Sequence, residues 1–135
     1  MIDDFVSLLS AIQRVFPRSR LELVGEGELA AIRQQYPDAP GHYLEFLRCV
    51  GWGSLGPGNF MVYSGPCEPK EIFDAETAIG LDGLLFFGDD FSGWMVGFDT
   101  RVGWRIVSVD HPYREPYPEE ARTVGEFIIH LIADR

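Results

Sequence analysis

What the chain has little of narrows it first. Lysine occurs once, at Lys70, and histidine three times, at His42, His111 and His130. Cysteine occurs only at Cys49 and Cys67, with no CxxC pair, so metal-ligand spacing is missing and two reduced thiols are expected. Cys49 falls in the run YLEFLRCV and reads as a small core residue. No apolar run approaches the ~18 residues of a membrane span. The first residues, MIDDF, carry acids where a secretion signal needs positive charge, so a cytoplasmic location is expected. Repeats, low-complexity tracts and linkers are missing too. At 135 residues the chain is long enough for one domain and too short for two.

Apolar residues and acids are what it does have. An apolar share of 46%, with ten phenylalanines, is the composition of a packed globule and excludes a disordered tail. Acids outnumber bases by 21 to 11, for a net charge of −10. Residues 66–99 hold eight of the acids against Lys70 alone, and so carry seven of the ten net charges. Direct binding to nucleic acid is disfavoured, because phosphates are repelled, and a basic partner is favoured. Net charge also serves solubility, but solubility does not require such clustering.

The apolar spacing predicts elements in a clear order. Residues 5–16 repeat at helical spacing, with Asp3 or Asp4 as cap and Pro17 as stop. LELV (21–24) reads as a short strand or an extended connection. Helices are expected over Glu28–Tyr36 and Gly41–Val50, the second ended by Gly51 and Gly53. GWGSLGPGN (51–59) then reads as a connection, with Trp52 as an apolar anchor. Strands are expected over 59–65, 84–88, 94–99 and 104–110, with a short helical turn in 68–76. Asp89–Gly93 and Thr100–Gly103 are turn-rich spacers of hairpin length. In 94–99, Trp94, Val96 and Phe98 share one face, while Met95, Gly97 and Asp99 share the other. Gly97 within a strand points to a bulge or a close approach. Residues 111–120 read as loop. Thr123 and Glu126 stand at capping-box spacing before a final apolar helix. Helices, an antiparallel meander and a closing helix make an α+β domain.

No chemistry has an evident home. FFGDDFSGWMVGFDT (86–100) is the most conspicuous acidic stretch. Counted as a calcium loop from Asp89, it places Phe91 third and Trp94 sixth, where an oxygen ligand and a glycine are needed. Adjacent Asp89 and Asp90 diverge in a turn and make a poor pair for glycoside cleavage, although an antiparallel hairpin could bring Asp99 near them. His111 reads as a loop residue and His130 as a partly exposed helix residue. No serine has a GxSxG context. GWGSLGPGN lacks the lysine and hydroxyl of a phosphate loop.

A family resemblance enters through three elements. Pro40-Gly41-His42-Tyr43-Leu44-Glu45-Phe46-Leu47 with Gly51-Trp52-Gly53 resembles the "LP..Y..FL...NGG" element of the SUKH superfamily, the SMI/KNR-like proteins. Gly88-Asp89-Asp90-Phe91-Ser92-Gly93 leading to Gly97-Phe98-Asp99 resembles that family's "G.DG.G..Y.FD" hairpin. The Phe- and Ile-rich helix Thr123–Ala133 resembles its closing element. The chain departs from the pattern at Tyr36-Pro37-Asp38-Ala39-Pro40, which replaces a simple Leu-Pro, and at Trp52 between the two glycines. The resemblance implies helices packed on a twisted antiparallel sheet, a binding role and no shared catalytic residue. Many bacterial members look like immunity proteins that neutralise toxins, and eukaryotic relatives act as interaction modules in cell-wall regulation.

The functional expectation is therefore a non-catalytic immunity protein that covers a basic toxin domain, without cofactor, metal or membrane, as a monomer or weak homodimer. Opposite charge speeds such capture. The expected surface is Glu68, Glu71, Asp74, Asp89 and Asp90, with Phe91 and Trp94 as apolar anchors. Two alternatives stand beside it: an intracellular scaffold or regulator, and a small hydrolase using Asp99, Asp110 and His111. Ten arginines against one lysine fit GC-rich bacterial coding.

Overall fold

The computed structural model describes residues 5–56, 58–110 and 115–133. The N-terminal caps expected at Asp3 or Asp4 lie outside them, as does His111. In chain order the elements are α1 (Phe5–Val15), β1 (Arg20–Glu22), α2 (Glu26–Gln35), α3 (Gly41–Cys49), β2 (Trp52–Leu55) and β3 (Phe60–Cys67). A 3-10 turn (Pro69–Glu71), α4 (Ala75–Gly80), β4 (Leu84–Asp89), β5 (Met95–Asp99), β6 (Arg105–Val109), β7 (Tyr117–Pro118) and α5 (Val124–Ala133) follow. The strands pair in sequence order as one seven-stranded antiparallel sheet. This is the expected α+β arrangement, with helices before and after the sheet.

Helical spacing explains which face the helices cover. Leu8 and Ile12 of α1, Leu29 of α2, Phe46 and Leu47 of α3, and Phe127 and Ile128 of α5 share one buried cluster with sheet residues such as Phe60, Val62 and Phe98. Each such side chain contributes roughly 1.5–3 kcal/mol on burial, so most of the stabilisation resides here. The opposite face carries a smaller cluster of Leu84, Phe86, Met95, Val107 and Val109, with Leu81. Phe73, from the segment between the 3-10 turn and α4, packs against it. The short helical turn expected in 68–76 is the 3-10 turn Pro69–Glu71, and α4 follows it. β4 is thus covered on both sides, and its LLFFG run is buried throughout.

The β5 alternation is as expected, with Val96 and Phe98 in the helical cluster and Met95 in the other. Gly97 also answers its reading. A Cβ there would collide with the Leu85 carbonyl oxygen and lie 2.6 Å from Phe86 Cα, where β4 shifts register between Phe86 and Gly88.

Several boundaries differ from expectation. The stretch read as a connection contains β2, which bridges β1 and β3. Gly51 does close α3, its N–H donating to Phe46 O at 2.9 Å, but Gly53 is a strand residue whose φ of 137° lets the chain press against the Arg20 carbonyl. A four-residue strand with a glycine inside carries no clear period. Trp52 packs on the helical cluster, as an anchor should. Within the expected 111–120 loop, Tyr117 and Pro118 pair with β6, at an edge where proline is tolerated. α2 starts two residues early, where Glu28 Oε1 accepts the Gly25 N–H at 3.3 Å. At α5, Thr123 Oγ1 accepts the Glu126 N–H at 3.0 Å, while Glu126 Oε1 accepts from Arg122 rather than Thr123. His42 Nδ1 accepts the Val124 N–H at 3.2 Å and ties α3 to α5. Both cysteines are free thiols, and Cys49 is half-buried rather than fully in the core.

Candidate functional site

The stretch from Asp89 to Gly93 links β4 to β5, and its aspartates hold the link together. Asp90 Oδ1 accepts the Ser92 N–H (2.9 Å), the Ser92 hydroxyl (2.8 Å) and the Trp94 N–H (3.1 Å). Burial pushes the Asp90 carboxyl up, but the hydrogen bonds from Ser92 and Trp94 outweigh it and hold the group below the usual carboxylate range. Asp89 Oδ1 accepts the Phe91 N–H at 2.7 Å, and its Oδ2 accepts the Tyr63 hydroxyl. Both carboxylates therefore spend acceptor capacity inside the chain. What the turn displays is Phe91, 55% exposed and held at φ 68°, a left-handed backbone that bulky residues rarely adopt. Trp94 is half-buried instead. Its ring sits 6.3 Å from Phe60 and 5.9 Å from Phe127, against the helical cluster.

The other expected acids gather around the 3-10 turn and α4. Asp74 Oδ1 caps α4 by accepting the Thr77 N–H at 2.8 Å, and this bonding holds its carboxyl below the usual range. Glu71 Oε2 accepts the Glu68 N–H at 2.7 Å. Glu68 is the busiest: Oε2 accepts the Tyr36 hydroxyl at 3.0 Å and Oε1 lies 3.5 Å from Lys70 Nζ. Met61, at one end of β3, pairs with Asp89, whereas Glu68 follows Cys67 at the other. At about 3.3 Å per residue the two acidic groups stand roughly 20 Å apart, so one sequence cluster becomes two spatial ones. Cys67, beside the second group, has its thiol pushed up to about 11 by burial and then by Glu71, which makes it a poor nucleophile at neutral pH.

Beside Glu68 the chain forms an open cleft of ≈ 370 Å³ between the α2–α3 corner and the β5–β6 turn. Tyr36, Asp38, Glu68, Asp82, Thr100 and Trp104 are among its lining residues. The β5–β6 turn is tightly fixed. Asp99 O accepts the Val102 and Trp104 N–H groups, and Asp99 Oδ1 accepts the Arg101 N–H at 3.0 Å and its Nε–H at 3.2 Å. The Thr100 hydroxyl donates to Gly83 O at 2.7 Å. Trp104 leaves this turn at φ 59° and meets Tyr36 edge-on, with ring centroids 6.3 Å apart. Burial, then the Glu68 hydrogen bond and charge, push the Tyr36 phenol up to about 12. Sequence reasoning missed Tyr36, Asp38, Asp82 and Trp104. The available signals were weak: a Tyr-Pro-Asp corner and a tryptophan directly after a turn glycine.

The approach of Asp99 to Asp89 and Asp90 that a hairpin could allow does not occur. Asp99 pairs with Leu84, at the far end of β4 from Asp89 and roughly 17 Å away. It also pairs with Arg105, while Asp110 follows Val109 at the other end of β6, again roughly 17 Å off. The two carboxylates of the hydrolase alternative are thus kept apart by strand pairing. Among the described residues no group of three His, Cys, Asp or Glu side chains is placed to hold a metal. No helix there is long and apolar enough to cross a membrane. No protein-family model matches the chain, and searches of curated proteins and of solved structures return no match.

Proposed function

We propose that the protein is a non-catalytic binding module of the immunity type, which captures a basic toxin domain through acidic surface groups. The observation that carries this reading is the excess of acids in one segment of the chain. Residues 66–99 hold eight acids against one base, and this segment supplies the Phe91 turn and two of the acids lining the Tyr36–Trp104 cleft. Apolar anchors give such contacts their energy, and surrounding acids set rate and selectivity toward a basic surface. The motif resemblance to the SMI/KNR-like proteins points the same way. The reading differs from a scaffold role in the partner it requires. Co-expression with a toxin domain encoded next to this gene should restore growth of a bacterial host, and the two chains should co-purify. Growth arrest despite full expression, with no complex formed, would move the protein to the scaffold class.

A further inference from the structure

We infer that the cleft between Tyr36 and Trp104 receives an arginine side chain of the protein partner. This rests on the binding-module reading and adds to it a place and a chemistry. Three features of the cleft converge on a guanidinium. Its charged lining side chains are all acids: Asp38, Glu68 and Asp82. Its aromatic lining is a Tyr–Trp pair, and arginine stacks on such rings more readily than lysine does. Its size, ≈ 370 Å³, and its open mouth admit one long side chain presented by another protein.

Two bases stand close by, and the lining acids they leave unpaired are Asp38 and Asp82. Lys70 sits on Glu68 Oε1, and Arg101 lies against Gly83 while bonded to Asp99. Asp38 and Asp82, both exposed, have no ion pair among the described residues. A fork of N–H donors can therefore reach a carboxylate while its plane lies along an aromatic wall. Trp104 is held in its place by a left-handed backbone that favours glycine, a local cost accepted to put an indole there.

The test uses the whole protein and two small probes. Nα-acetyl-arginine methylamide and its uncharged citrulline analogue are titrated at low salt, and the Trp104 indole N–H and the Gly83 and Thr100 amides are followed by NMR. The arginine probe should give saturable shifts at these three groups, and citrulline should not. The Asp38→Asn/Asp82→Asn variant changes only exposed side chains and should keep the fold while weakening the arginine probe roughly threefold or more. Equal shifts from citrulline, or shifts spread over all acids without saturation, overturn the inference. Partner capture by the same double variant separates the two levels of the account. Undiminished capture with no probe binding sinks the cleft and leaves the binding module, whereas probe binding with no partner found sinks the module and leaves the cleft.

Discussion

Tyr36 donates its hydroxyl hydrogen to Glu68 Oε2 at 3.0 Å, across 32 residues of chain. This bond joins the corner after α2 to the start of the 3-10 turn and sets one side of the acidic cleft. It has a spectroscopic consequence. One tyrosine of the folded protein should ionise at about 12, and the Glu68→Gln variant should bring that value down without restoring it fully, because burial is the larger cause. The neutral phenol is favoured in the folded chain. Its contribution to stability is complete below pH ~10 and is lost as pH rises through about 12. An ultraviolet difference titration of wild type and variant measures both.

Asp90 binds three donors with one oxygen, so it is a structural residue before it is a surface charge. Asp90→Ala should lower stability by about 1–2 kcal/mol, as loss of a comparable cap does. Its folded carboxyl is held below the ordinary range. The stability it contributes is therefore present above pH ~4 and lost as pH falls through the lower, folded value. Urea unfolding of both proteins at neutral and acid pH checks this: the difference should shrink in acid.

Phe91 separates display from folding. At φ 68° and 55% exposed, it gives the turn little that glycine would not. Phe91→Gly should leave stability unchanged or raise it by up to about 1 kcal/mol, because left-handed backbone costs a side chain roughly that much. Partner affinity should drop tenfold or more, as removal of an aromatic anchor does. Calorimetric melting and partner titration on the same samples read the two effects.

Two glycines should respond oppositely to alanine. Gly97→Ala drives a methyl into the Leu85 carbonyl and should cost at least about 2–3 kcal/mol. Gly27, inside α2, has open space where an alanine methyl would sit, with nothing within 4 Å, so Gly27→Ala should gain about 0.5–1 kcal/mol. Thermal unfolding reads both effects, and the Gly97 result tests the register of the β4–β5 hairpin.

Much of the fold was legible because its signals are local. Helical spacing in 5–16 and 41–50, and alternation in 94–99, mark the elements and even the faces they bury. β2 was not legible, because its pairing depends on a backbone approach at Gly53 rather than on side-chain period. The site was less legible than the fold. Acids from one segment of sequence are separated by the length of β3, and their oxygens are committed to turns and caps that spacing alone does not disclose. The cleft pairs Tyr36 with Trp104, residues brought together only when the α2–α3 corner meets the β5–β6 turn. Tyr36 and Asp38 also lie where the chain departs from the SMI/KNR-like pattern, so the resemblance offered no guide to them.

The most direct test of a charged, anchor-dependent binding surface is affinity capture from the native host's lysate. Wild-type and Phe91→Gly baits are run side by side, eluted in steps of rising salt and identified by mass spectrometry. A basic protein should be held by the wild type, released as salt rises and depleted on the variant. Identical capture by both baits, or release independent of salt, would contradict a surface of this kind.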